Sequence, residues 1–153
     1  EMEISTTASR TRINILGAIN LDNMNVITED CGKSINSQSI IDFFDSIKKA
    51  YSEKRAIHVI LDQAGYNRSF EVREYAFRLG IHLHYLPPYS PNLNSIERLW
   101  KVMNEDVRNN VFFESAKKFK MKIIQFFDDE LPKLLPSLRS TINDKFHIKK
   151  TVN

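Results

Sequence analysis

Ala56-Ile57-His58-Val59-Ile60-Leu61-Asp62 is a nearly continuous apolar run that ends in a carboxylate. A strand buried on both faces of a parallel sheet reads this way, because neither face alternates with water. A helix is expected next, over about 69–79, with Val72, Ala76 and Leu79 inward and Gly80 as its stop. Ile81-His82-Leu83-His84-Tyr85-Leu86 then reads as a second strand, ended by Pro87-Pro88. A strand-helix-strand unit with a crossover of this length makes the two strands parallel, which sets the class as α/β.

Upstream, residues 12–21 alternate, with Ile13, Ile15, Ile19 and Leu21 on one face and Asn14, Ala18 and Asn20 on the other. Asp22-Asn23 reads as a tight turn into Val26-Ile27-Thr28, giving a hairpin. Helical spacing follows at Ile40, Phe44, Ile47 and Tyr51, with Asn36 or Ser37 as cap, for a helix over roughly 37–54. Downstream, helices are expected over about 95–109 and 115–128, then a weaker segment bearing Leu131, Leu135, Leu138 and Ile142, broken by Pro132 and Pro136. The sum is one domain with a mixed sheet, in which residues 110–153 are a helical extension.

A chain of 153 residues can bury a sizeable core, and 42% apolar with 27% charged residues fits a globular protein. Cys31 is the only cysteine, so no internal disulfide forms, and Glu1-Met2-Glu3-Ile4 lacks the pattern of a secretory signal. With no apolar stretch of membrane-spanning length, a cytoplasmic location is expected. The net charge of +3 permits an anionic partner without demanding one.

Chemistry is concentrated in two carboxylates. Asp62 is delivered to the carboxyl edge of the sheet, where open α/β sheets tend to bind ligands, and Glu97 lies one turn into a later helix, with 34 residues between them. Hard cations such as Mg²⁺ choose carboxylate oxygens, so a convergent pair, with oxygens roughly 4–8 Å apart, could share ions. Plain structural roles account for the same residues. Asp62 could cap a turn with Gln63-Ala64-Gly65. Asn94-Ser95-Ile96-Glu97 has the spacing of a capping box, Asn94 accepting and Glu97 reaching back.

The segments Val59-Ile60-Leu61-Asp62-Gln63-Ala64-Gly65-Tyr66-Asn67 and Leu86-Pro87-Pro88-Tyr89-Ser90-Pro91-Asn92-Leu93-Asn94-Ser95-Ile96-Glu97-Arg98-Leu99-Trp100 closely resemble the catalytic domain of DDE-type insertion-sequence transposases of the mariner-like superfamily. Arg12 to Asn20 resembles that family's second strand, and Asn110 to Ser115 the link to its terminal helices. The resemblance implies an RNase H-like fold and a metal-dependent enzyme that cuts DNA at element ends and joins the freed 3′ hydroxyl to target DNA. Asp62 would be the second acid and Glu97 the third, holding two Mg²⁺ or Mn²⁺ ions that activate the attacking oxygen and stabilise the leaving one. Gln63, Asn67 and Asn94 would support them, while Arg98, Lys101 and Arg108, on the helix that carries Glu97, form either a solvated face or one that contacts DNA phosphate. DNA is the implied partner, a homodimer is compatible with it, and in a prokaryotic host the location would be the nucleoid.

The departures from the family pattern are specific. The strand bearing the first acid would precede residue 12, and the chain is expected to begin too late to include it. Asp22, in the hairpin turn, and Asp30, after the hairpin, are poor substitutes. Gln63 stands where the family usually has Asn, Asn67 where His is common, and Ser95 where Pro usually opens the helix. An alternative reading is therefore a catalytically inactive or domesticated remnant that binds DNA or protein. Without the first strand, residues 12–21 and 56–62 should each expose an unpaired edge, so that the two strands shift together or another segment fills the gap.

The remaining conspicuous residues read plainly. His58, His82 and His84 have no Cys or further His at ligand spacing and are taken as surface or satisfied strand histidines. Lys117, Lys118, Lys120 and Lys122 form either a solvated face or a phosphate-contacting one, and Trp100, with Ile96 and Met103, is expected to pack the Glu97 helix onto the sheet.

Overall fold

The computed structural model describes residues 2–5, 12–108 and 116–139. The expected link at Asn110–Ser115, Ile142 and the rest of the chain's end lie outside them, as does the side chain of Arg108. Among the described residues, five strands form two sheets. Strand β1 (Met2–Ser5), β2 (Arg12–Ile19) and β3 (Val26–Asp30) are antiparallel in the order β1-β2-β3, whereas β4 (Ile57–Leu61) and β5 (Ile81–Tyr85) form a parallel pair. Helix α1 (Ser37–Ala50) joins the two sheets and α2 (Phe70–Arg78) makes the crossover; α3 (Ser95–Arg108), α4 (Ala116–Gln125) and α5 (Leu131–Leu138) follow.

The crossover unit forms where the apolar periodicity placed it. Ser69 caps α2 by accepting from the Val72 N–H, and Gly80, at φ +72°, takes the left-handed turn that ends it. Any Cβ at Gly80 would collide with the Arg55 carbonyl, so both backbone geometry and space require glycine there. The register runs Ile57↔Ile81 to Leu61↔Tyr85, and the Leu86 N–H extends the ladder to the Leu61 carbonyl at 2.9 Å. Asn36 caps α1 in a reciprocal box with Ser39.

Several expectations are corrected. β4 is covered on one face only: Ile57, Val59 and Leu61 pack inward, but His58 is exposed and Ile60 is 46% exposed. Conversely β2 is buried on both faces, with Ile13 and Ile15 in one core and Leu16 in the other. Asn14, expected on a wetted face, is buried and gives its amide to the Gly32 carbonyl at 2.9 Å. The hairpin turn is a longer loop over residues 20–25, because the Asn20 side chain accepts from the Asp22 N–H at 2.8 Å and Met24, at φ +63°, tucks its side chain into the core.

Neither β2 nor β4 pairs with the other, so the single mixed sheet is split in two. β1, unassigned by periodicity, runs along the edge of β2 opposite β3, with Met2↔Ile15 and Ser5↔Arg12 in register. It therefore occupies part of the edge expected to be open.

Two cores result. The first joins Ile13 and Ile15 to Ile96, Leu99, Trp100, Met103 and Val107 of α3, with Phe119, Ile123, Phe126 and Leu131 beyond. Full burial of one such side chain, Leu99 for instance, contributes about 1.5–3 kcal/mol. Gly17 lets the Trp100 ring lie directly on β2, since a Cβ there would overlap Cζ2 and Cη2 of the indole. The second core packs Leu16, Ile40, Phe43, Phe44 and Ile47 against Val72, Ala76 and Ile81.

Pro132 and Pro136 do not break the terminal segment. A π turn over Phe126–Glu130 widens the helix immediately before Pro132, the Leu131 N–H reaching back to the Phe126 carbonyl, which relieves the clash a proline ring makes with the preceding turn. Pro136 sits within α5. Among the described residues no helix is long and apolar enough to cross a membrane.

Candidate active site

Asp62 is the first residue after β4, at its carboxyl end. Its Oδ1 accepts from the Ala64 N–H at 2.9 Å and from Asn67 Nδ2 at 2.8 Å, so the turn-capping role is real and fixes the carboxylate in place. Both described bonds to the side chain fall on the same oxygen, which leaves Oδ2 to interact elsewhere. Asn67 is 8% exposed, in the short helical turn Gly65–Arg68, and its own carbonyl accepts from the Tyr85 hydroxyl at 2.6 Å. Burial pushes the Tyr85 phenol up from its ordinary pKa, keeping it a donor. Gln63 turns its amide to the Leu86 carbonyl at 2.9 Å, tying the end of β4 to the end of β5. The changed family positions Gln63 and Asn67 thus each have a structural occupation beside Asp62.

Glu97 lies in the first turn of α3, half-buried. The capping box read from sequence is only half made. Asn94 Oδ1 accepts from the Ile96 N–H at 3.4 Å, but the Asn94 N–H is taken by the Pro91 carbonyl at 3.0 Å, where the short turn Pro91–Leu93 precedes the helix. The Glu97 side chain is therefore not needed as that cap. Asn94 holds the backbone of Glu97, its carbonyl accepting the Glu97 N–H at 3.0 Å.

Burial raises the Glu97 carboxyl above its ordinary value, and the Asp62 carboxylate raises it further. The second effect is the mutual repulsion of two like charges, one at the end of β4 and the other in the first turn of α3. A cation shared by the pair would relieve both the desolvation and the repulsion. Among the described residues no group of three Asp, Glu, His or Cys side chains converges to hold a metal. Asp30 is committed elsewhere: Lys120 of α4 pairs with it, and that hydrogen bond holds its carboxyl below the ordinary range. Asp22 is exposed in the loop after β2.

Arg98 and Lys101 are exposed on α3 beside Glu97. Of the α4 lysines, Lys120 is spent on Asp30 and Lys122 reaches Gln125 at 3.5 Å, while Lys117 points to solvent. Trp100 is core, 3% exposed, with its ring edge-on to Phe127. The histidines form a cluster that sequence reasoning discounted. His58 Nδ1 lies 2.8 Å from His84 Nε2, and the His82 ring stacks on His58 at 4.9 Å. The signal was present, since parallel pairing sets His58 opposite His82 with His84 two residues on along the same face.

The family model for DDE superfamily endonucleases matches residues 1–120, and the chain belongs to that family. Solved structures similar to it share its fold at low identity. The catalytic domain of the Mos1 mariner transposase superposes with a TM-score of 0.68 at 14% identity, covering 95% of this chain and 81% of that one. The same domain with raltegravir and manganese gives 0.70 at 15%, covering 95% and 82%. A chain of the simian T-cell lymphotropic virus intasome, in complex with PP2A regulatory subunit B56 gamma, gives 0.61 at 15%; this chain is covered to 82% but spans only 45% of that one. These likenesses identify an RNase H-like fold. No curated protein sequence matches this one.

Proposed function

We propose that this domain serves DNA transposition, cutting a DNA strand with the help of divalent cations and joining the freed 3′ hydroxyl to a target. The observation that supports the reading is that, after burial, Asp62 at the carboxyl end of β4 raises the pKa of the Glu97 carboxyl in the first turn of α3, on a chain of the DDE endonuclease family. The carboxylates fit hard cations by their chemistry, and the structures of the Mos1 domain with magnesium and with manganese support that choice. Asp62 and Glu97 would hold Mg²⁺ or Mn²⁺. Such ions supply Lewis acidity, favouring ionisation of the attacking hydroxyl and bearing charge on the leaving oxygen.

The chain's own residues perform the positioning. Asn67 and the Ala64 N–H hold Asp62 in one orientation, so little is reorganised when an ion arrives. Gln63 fixes the loop that leads to α3, and Asn94 anchors the first turn from which Glu97 projects. Arg98 and Lys101 lie where a phosphate backbone running past Glu97 would meet them, giving affinity that is salt-sensitive and indifferent to sequence. Two copies on DNA form part of the proposal, to be read by light scattering.

Titration calorimetry with Mn²⁺ tests the acid pair. Weak binding is expected, because two acids leave much of the coordination to water, and Asp62→Asn or Glu97→Gln should abolish it. Heat unchanged by either substitution would refute the assignment. A chain extended upstream by a strand bearing a third acid should bind more tightly and nick DNA. Gln63 and Asn67, both engaged in structural hydrogen bonds, favour a second reading: a domain that binds DNA or protein without cutting it. DNA binding that needs no metal, with no nicking by the extended chain, would select that one.

A further inference from the structure

The open face of the β4–β5 sheet carries His58, Ile60, His82 and His84, all exposed, on two strands locked in parallel register. His58 Nδ1 and His84 Nε2 are 2.8 Å apart, close enough that they share one proton, one ring donating and the other accepting. We propose that these two nitrogens form a chelating site for a borderline transition-metal ion, Cu²⁺ or Ni²⁺ in preference to Zn²⁺, separate from the Asp62–Glu97 pair. An ion would take the place of the shared proton, which passes through solvent to the donor ring's other nitrogen, so both rings stay neutral and each keeps one N–H.

Ligand spacing differs between the metal classes. With metal–nitrogen bonds of about 2.0–2.1 Å, ligands at right angles stand about 2.9 Å apart, whereas tetrahedral ligands stand about 3.3 Å apart. The 2.8 Å separation is that of the hydrogen bond, and the smaller opening of the pair leads to the first spacing, the tetragonal geometry of Cu²⁺ and Ni²⁺. Imidazole also suits these ions and not Mg²⁺, so the site does not compete with the carboxylates for hard cations. The pair is already assembled on rigid backbone, and binding therefore orders little that is not ordered in its absence. His82 has a different part. Its ring stacks nearly parallel on His58, at 19°, and so flanks that ring. The site is thus bidentate, with water completing the coordination, in keeping with the lack of a three-residue metal group among the described residues.

The test is titration calorimetry of the untagged chain with Ni²⁺ and with Cu²⁺ in a weakly coordinating buffer, together with Cu²⁺ paramagnetic resonance. His147→Gln is used as the background, since it removes the fourth histidine of the sequence. One ion per chain and a two-nitrogen spectrum are expected. His58→Gln and His84→Gln should each weaken binding by ~100-fold, the gain a preorganised second ligand supplies, while His82→Gln should leave affinity largely intact. Asp62→Asn should also leave Ni²⁺ binding intact while removing Mn²⁺ binding, so the two sites fail or stand independently. Affinity indifferent to His58→Gln and His84→Gln, or loss of Ni²⁺ binding on Asp62→Asn, would overturn the proposal.

Discussion

Replacing Gly17 with alanine should destabilise the domain although the backbone there accepts any residue, and the reason is one ring. Glycine in a strand interior ordinarily costs roughly 0.5–1 kcal/mol relative to alanine, so the substitution starts with a gain. The new Cβ, however, would overlap Cζ2 and Cη2 of Trp100, which is 3% exposed between Ile96, Met103 and the sheet. Overpacking of this kind costs about 1–3 kcal/mol, leaving a net loss of roughly 0.5–2 kcal/mol. For a domain of this size that is a fall in Tm of roughly 1–8 °C. Trp100→Phe provides the decisive background, because the overlapping atoms belong to the part of the indole that phenylalanine lacks. The indole N–H is buried without a partner, so that change forfeits no hydrogen bond. In the Phe background Gly17→Ala should be neutral or stabilising, a coupling of roughly 1–3 kcal/mol within the range for touching residues. Urea melts of all four proteins by far-ultraviolet circular dichroism measure it. Effects additive within about 0.5 kcal/mol would refute the argument.

Other consequences can be checked in the same way. Glu97 has a raised pKa in the folded state, so the folded protein binds its proton more tightly than the unfolded chain; stability is full below the unfolded value and declines as pH rises through the folded one. Glu97→Gln should therefore raise Tm at neutral pH without metal and flatten the profile above the ordinary carboxylate range; an unchanged profile would remove the proposed burial and repulsion. Asp30 has the opposite sign: its lowered pKa gives stability that is lost as pH falls through the folded value, and Lys120→Met should abolish that acid sensitivity at a cost of ~0.2–1 kcal/mol, as expected for an exposed pair. Asn36→Ala removes the reciprocal cap of α1 and should cost about 0.5–2 kcal/mol in a urea melt. Lys101→Ala should weaken DNA binding uniformly across sequences and lower the slope of log affinity against log salt by about 0.9, which fluorescence anisotropy over a salt series would show.

The parallel strand pair was legible because its signals are local. The apolar run 57–61, Ser69 as cap and Gly80 as stop are each decided within a few residues. What escaped was tertiary. Ile60 looks like core by hydropathy, but its exposure depends on which helices cross above β4, and α3 packs instead on β2 through Gly17 and Trp100. Asn14 looked wet because its partner, the Gly32 carbonyl, is eighteen residues away. β1 is four residues long, too short for alternation to register. At the candidate site, the residue types at Asp62 and Glu97 were readable; that Asn94 gives its N–H to Pro91, releasing Glu97 from capping, was not.

β2 forms a party wall between two compartments. Asp62 belongs to the compartment of α1, α2 and the parallel strands, whereas Glu97 rides on α3 in the other, and among the described residues no strand ladder joins the two. The span between the acids is therefore governed by how the compartments lean against that wall. An ion gripped by both would act as a clasp, and its affinity would report the stiffness of the wall. Hydrogen exchange along β2 should then slow when the ion binds, at amides that touch neither carboxylate. Substitutions such as Gly17→Ala, remote from the chemistry, would alter the grip by tilting α3.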